Sequence, residues 1–257
     1  MDQRYILDIS YQGANYAGWQ IQPNANTVQA ELDAALSTLL RTDIRSTGAG
    51  RTDAGVHARQ LIVHFDHAGE IPHSLLHGLN GILPYDIAAN ALFQPTTSDF
   101  HSRFTATSRS YVYQIVRQKS PEYYLTAHWI RYQIDVENMN RAAALLLEYD
   151  EFGSFCKAHA DNATNLCQMY HAYWEESQDL LCFHIKANRF LRGMVRAIVG
   201  TLLLVGRGKM SLSEFRAVIE AQDRTAAGPA AEAKGLFLTE VGYPEESFSV
   251  FSLPKNR

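Results

Sequence analysis

Between Arg4 and Gln12 apolar and polar positions alternate, with Tyr5, Leu7, Ile9 and Tyr11 on one side. A period of two predicts a half-buried strand. From Thr27 the spacing changes. Val28, Leu32, Ala35, Leu36 and Leu39 share one helical face. Asp43 to Thr47 and Gln60 to Phe65 read as strands. A helix fits within Ile71 to Leu83, with Leu75, Leu76 and Leu79 inward, and Ile87 to Phe93 reads as a further strand. The order β-α-β-β-α-β is that of a ferredoxin-like unit.

The second half follows a similar theme without detectable sequence repetition. Tyr111 to Val116 predicts a strand, and Val136 to Leu147 a helix. "HAYWEE" and "LLCFHIKA" predict a hairpin. A long helix is expected with Phe190, Met194, Ile198 and Leu202 on its apolar face, then a helix over Ser213 to Ala221 and a strand over Gly235 to Tyr243. The polar stretch "PEESFSVFSLPKNR" is expected to be loosely held. This predicts an α+β chain in two halves, residues 1–105 and 106–245, with a tail at 246–257.

Composition narrows the class. The chain has 257 residues, 46% hydrophobic and 19% charged, which suits a globular protein with a substantial core. Its start, "MDQRYILDIS", lacks a basic segment followed by an apolar one. The longest apolar run, Ala197 to Gly206, is too short for a bilayer. No membrane association and a cytoplasmic location are therefore expected. Three cysteines without a C-x-x-C spacing do not suggest a disulfide framework. A net charge of −4 does not advertise nucleic-acid binding, but binding depends on where cations cluster.

The chemistry concentrates in "GAGRTDAGVHARQ", Gly48 to Gln60. Apolar strand-like runs flank this glycine-rich loop, and such loops commonly display functional groups. Taken alone, Asp53 before Ala-Gly reads as a turn former or helix cap, and Arg51 as its surface partner.

The larger pattern changes that weighting. "GAGRTDAGVHARQLIVHF" resembles the signature of the bacterial tRNA pseudouridine synthase A family. So do "YAGWQIQ", "TVQAELDAAL", "HGLNGILPYDI", "FHSRFTATSRSYVYQI", "FLRGMVRAIVG", "DRTAAG" and "GLFLTEVGY", in the family's order from about residue 5 to 243. The resemblance implies two ferredoxin-like halves with antiparallel sheets and a catalytic cleft between them. It implies a homodimer that isomerises uridine to pseudouridine at positions 38, 39 and 40 of the tRNA anticodon stem-loop. Nothing is oxidised and no group leaves, so the chemistry requires no cofactor and no metal.

The family's catalytic aspartate falls on Asp53. A carboxylate can serve as nucleophile or base, and the sequence leaves both open. Burial raises a carboxyl pKa and a neighbouring cation lowers it, so a partner arginine is expected. By resemblance it is Arg196, with Arg192, one turn earlier on the predicted helix, as second choice. Tyr111 matches the family's active-site tyrosine, although Tyr113 shares its facing on a strand and spacing alone does not separate them. Arg51 is expected to help hold a flipped nucleotide, at a cost of a few kcal/mol for flipping. His57 is read either as an RNA contact or as a satisfied surface histidine.

Other signals rank lower. Cys156, His159, Cys167 and His171 have a zinc-like spacing but no standard finger pattern, and His64 and His67 fall on opposite faces of a strand. The segment "KAHADNATNLCQMYH" departs from the family, which usually has a basic stretch with Thr and Arg there; the arginine is missing, so the resemblance assigns this segment no role in RNA contact. Zinc deaminase, Walker A and dinucleotide signatures are absent. The rivals to a synthase acting on this stem-loop are a non-catalytic tRNA-binding protein on the same fold, or a synthase with other RNA targets.

Overall fold

A computed structural model of the chain describes residues 2–157, 164–177 and 179–251. They fall into two units, one running to Thr107 and resuming at Leu238, the other covering Ser108–Phe237. The fold is mixed α and β, with mostly antiparallel strands.

Unit 1 begins with β1 (Gln3–Tyr11), α1 (Val28–Leu40), β2 (Thr47–Gly48), β3 (His57–His67), α2 (Leu75–Ile82) and β4 (Ile87–Pro95). β1 is central, antiparallel to both β3 and β4. Its alternation has the expected cause, since Tyr5, Leu7, Ile9 and Tyr11 are all buried. Thr27 caps α1 by accepting a hydrogen bond from the Ala30 N–H. Leu32, Leu36, Leu75 and Leu79 of the two helices are buried in the core.

Of the strand expected at Asp43–Thr47 only Thr47 is in a strand, and with Gly48 it pairs with β3. The reason lies in α1, whose side chains take the backbone groups that a strand partner would use. Asp33 Oδ1 accepts from Ser46 N at 3.0 Å, Ser37 Oγ accepts from Ile44 N at 2.9 Å, and Gln29 Nε2 donates to Ser46 O at 2.7 Å. Alternation in "DIRST" therefore reflects burial of Ile44 and Ser46 without a ladder.

Unit 2 contains β5 (Ser108–Val116), β6 (His128–Trp129), α3 (Val136–Leu145), β7 (Met169–Ser177), β8 (Leu180–Ala187), α4 (Met194–Gly206) and α5 (Leu212–Ala221). The expected hairpin is present: β7 pairs antiparallel with β8, which pairs antiparallel with β5, while β6 lies parallel to β5. α4 starts later than expected. Gly193 takes a left-handed φ of 70° at its N-cap, so Phe190 and Arg192 precede the helix.

The chain closes with β9 (Leu236–Gly242) and β10 (Phe248–Val250). From Leu238 on it is again part of unit 1, where β9 bonds to β3 and β10 pairs antiparallel with β4. The expectation of a loosely held tail fails for residues up to Phe251. Phe248 packs on Phe93, Phe100 and Tyr243, and Phe251 lies edge-on to Tyr5. The polar letters of this stretch hide two aromatic rings with apolar partners.

Candidate functional site

In unit 1 the loop between β2 and β3 is laced to the segment after β1 by backbone contacts. Trp19 N donates to Thr52 O at 3.3 Å, and Gly55 N to Tyr16 O at 3.2 Å. Thr52 is buried, and its hydroxyl lies 2.8 Å from the Tyr11 hydroxyl. Val56 N donates to Asp53 O at 3.1 Å, which closes a turn with Gly55 at a φ of 77°. Gly18 has a φ of 98°, and a Cβ there would sit 2.4 Å from Thr52 O. Only glycine allows both the conformation and the approach. The "YAGWQ" and "GRTDAG" stretches are thus two sides of one rigid structure. On it Asp53 is half-buried and Arg51 exposed.

His57 does not lie at the surface. It is the first residue of β3 and fully buried, and its Nδ1 accepts the Gly13 N–H at 3.0 Å. A backbone N–H can only donate, so that nitrogen carries no proton. The ring braces the loop through Gly13.

A neighbouring cluster was not singled out in the sequence. Tyr16 donates to Asp86 Oδ1 at 2.5 Å, and Asn15 Nδ2 to Asp86 Oδ2 at 3.1 Å. Gln12 N donates to Asp86 O at 2.9 Å. Burial first, then the Asp86 carboxylate, raises the Tyr16 phenol well above its ordinary value. The signal was present in "NYAGWQ" and "PYDI", but nothing in one sequence says that these segments meet. Tyr85 and Phe104 are exposed aromatic residues of the same unit, and the Arg103 guanidinium lies 5.5 Å from the Phe104 ring centroid.

In unit 2 the structure distinguishes the two tyrosines of β5. Tyr113 is fully buried, donates to Glu232 O at 2.9 Å and lies 3.1 Å from His128 Nδ1. Burial pushes its phenol far up. Tyr111 is half-exposed and meets Phe190 edge to face, with centroids 5.2 Å apart. Arg196 is the third residue of α4. Its Nε donates to Ala231 O at 2.8 Å, and its carbonyl accepts from Ala231 N at 2.9 Å. Arg192 is exposed, and its carbonyl accepts from Lys157 N.

Of the zinc-like quartet, His159 lies outside the described residues. Cys167 is buried, which pushes its thiol up to about 11, away from the thiolate a metal would bind. Among the described residues no group of three or more His, Cys, Asp or Glu could hold a metal ion. Among them, too, no helix is long and apolar enough to cross a membrane.

Comparison with known proteins adds the family. A family model described as tRNA pseudouridine synthase matches residues 142–244, most of which belong to unit 2. Relatives carry the match into unit 1. The tRNA pseudouridine synthase A of Parabacteroides distasonis is 47% identical over 96% of this chain and 99% of its own length. That of Bacteroides thetaiotaomicron is 49% identical over 96% of this chain and 93% of its own. The more distant Francisella tularensis subsp. novicida protein of the same name is 39% identical over 96% of both chains. At that identity over nearly the whole length, the Asp53 loop and the Tyr111 and Arg196 elements lie within one shared sequence, and the chain belongs to the tRNA pseudouridine synthase A family.

Proposed function

We propose that this protein converts uridine to pseudouridine at positions 38, 39 and 40 of the tRNA anticodon stem-loop, with Asp53 as the catalytic carboxylate. Membership of the family makes it an isomerase acting on uridine in tRNA. The reaction cuts the N1–C1′ bond, turns the base, joins C5 to C1′ and moves one proton from C5 to N1, so atoms balance without a co-reactant. The observation that carries the assignment to Asp53 is the rigid seat of its loop. Backbone bonds from Trp19 and Gly55 fix the residues on both sides of a half-buried carboxylate. A pre-positioned group of this kind reduces the entropic cost of reaching the reacting geometry.

Arg51, exposed beside Asp53, holds the displaced nucleotide. Tyr111 stacks on the target base, for which its half-exposed ring against Phe190 is suited. Arg196 serves as the cation of the site. In this reading the two units are ferredoxin-like halves that act on one tRNA, and the enzyme works in the cytoplasm as a homodimer. The experiment is incubation with unmodified tRNAs followed by position-by-position mapping of pseudouridine, for wild type and Asp53→Asn. Asn satisfies turns and caps as well as Asp does. If Asp53 performs the chemistry, the variant folds and binds tRNA but forms no pseudouridine. Turnover near the wild-type rate removes the assignment.

A further inference from the structure

The segment joining α5 to β9, residues 223–235 ("DRTAAGPAAEAKG"), has only a turn at its start, where Ala226 N donates to Asp223 O at 3.1 Å, and one short helical turn at its end, yet it is pinned along its length within unit 2. Arg224 Nη1 donates to Gly228 O at 3.1 Å. Gly228 N donates to Thr201 Oγ1 at 3.0 Å, and that hydroxyl donates to Ala197 O at 2.8 Å. Gly200 lets the segment lie against α4, because a Cβ there would fall 1.7 Å from Pro229 O. Next comes the reciprocal pair of bonds between Ala231 and Arg196. One residue later Glu232 O accepts the Tyr113 hydroxyl, and Gly235 rests on the Tyr113 ring.

The consequence concerns Arg196. Its guanidinium is planar, so a bond through Nε to a fixed carbonyl sets the plane in which the remaining N–H groups point. The carbonyl belongs to Ala231, and the adjoining peptide is held by Tyr113. We propose that Tyr113 is a positioning residue: by anchoring Glu232 O it fixes the Ala231 carbonyl and so orients Arg196 toward the tRNA. The strap 223–235 is the device through which it acts. This rests on the role given to Arg196 above. His128, 3.1 Å away, gives the hydroxyl a second polar neighbour. Tyr113 therefore has no rotamer freedom to spend, and its oxygen is not available to substrate.

The test uses the full chain and an unmodified tRNA, with single-turnover rates at saturating enzyme, tRNA affinity and a melting curve for each variant. Tyr113→Phe removes one hydroxyl from a buried site. The rate is expected to fall about tenfold while tRNA affinity stays within about twofold, because the loss is in orientation at the reacting centre. Combined with Arg196→Lys, which already lacks the Nε fork, Tyr113→Phe adds no further loss. Phe215→Leu, at another fully buried ring in unit 2 that packs on Phe155, lowers the melting temperature and leaves the rate unchanged. A wild-type rate in Tyr113→Phe overturns the inference. So do losses that multiply in the double variant, or a Phe215→Leu rate that falls in step with its melting point. Should Tyr113→Phe fail to fold, Thr201→Val, which releases the strap at Gly228, decides by the same criteria. A wild type that makes no pseudouridine overturns the proposed function and this inference together. An active wild type beside an equally active Tyr113→Phe overturns this inference alone.

Discussion

Gly18→Ala tests whether the rigidity of the Asp53 loop matters to function. The added methyl meets two obstacles. At a φ of 98° an L-residue is strained, at a cost of about 1–3 kcal/mol. The Cβ would also lie 2.4 Å from Thr52 O, 3.2 Å from Asp53 C and 3.3 Å from Ala54 N, where ordinary contact begins at 3.4 Å. The first overlap is 3.4 − 2.4 = 1.0 Å, and it falls on backbone that has no rotamer to change. Residues 52–54 must therefore move by about 1 Å, and a displacement of that size at a reacting group costs on the order of a hundredfold in rate. That corresponds to about 2.7 kcal/mol in the barrier. The assay is pseudouridine formed per enzyme on one tRNA, beside tRNA affinity and a melting curve. The expected result is a folded, tRNA-binding protein that is slow by about two decades. Gly81→Ala is the control: it lies in α2, a Cβ there meets nothing within 4 Å, and Ala favours a helix by about 1 kcal/mol. It should raise the melting temperature and leave the rate alone. A Gly18→Ala variant at the wild-type rate would refute the claim that the two loops act as one seat.

Three further outcomes are expected. Burial first, then Arg4 and His101, with Asp66 opposing, pushes His64 down to about 4, so the folded protein keeps it neutral where the unfolded chain would protonate it. Its contribution, at most about 3 kcal/mol, is complete above pH 6.5 and is lost as pH falls toward 4; unfolding free energies for His64→Gln should be flatter across that window, and an unchanged slope would reject the assignment. Affinity for tRNA should fall steeply with salt, with a log–log slope of roughly −0.7 to −0.9 per phosphate contacted, measured by binding isotherms at several salt concentrations; a flat response contradicts phosphate contacts. Phe248→Ala should lower the melting temperature by removing a ring that packs on Phe93, Phe100 and Tyr243, a loss of about 3 kcal/mol at most for a half-buried ring, and an unaltered melting curve would show β10 to be dispensable.

Periodicity made most elements legible, because burial drives both the pattern and the structure. β1, α1 and the β7–β8 hairpin lie within a few residues of where their apolar spacing puts them. The misreadings share another cause. In Asp43–Ser46 the backbone is satisfied by Asp33, Ser37 and Gln29, side chains that look like solvated helix surface in the sequence. Phe190 and Arg192 fit a helical spacing, but Gly193 at positive φ sets the start of α4 after them. For the candidate site, Asp53 was legible through family resemblance. Its seat was not, since the bonds from Trp19 and Tyr16 join segments more than 30 residues apart. The separate fates of Tyr111 and Tyr113 were hidden for the same reason, because Glu232, far along the chain, is what occupies the second tyrosine.

The return of the chain to unit 1 bears on how this protein is made. The carboxylate loop is translated early, yet β9 and β10 come from the last part of the chain, more than 120 residues after Thr107. Val241 N donates to Gln60 Oε1 at 2.9 Å, Thr107 N to Gly242 O at 2.8 Å, and Tyr243 Oη to Ser102 O at 2.6 Å. While the ribosome still holds the C-terminal segment, the edges of β3 and β4 lack these partners, and an unpaired edge is a site for wrong pairing. Ser108–Phe237 needs no residue beyond Phe237, and its strands β5, β7 and β8 arrive in sequence. Emergence order thus lets the second unit finish folding first, and leaves the sheet of the first unit incomplete until β9 and β10 have emerged.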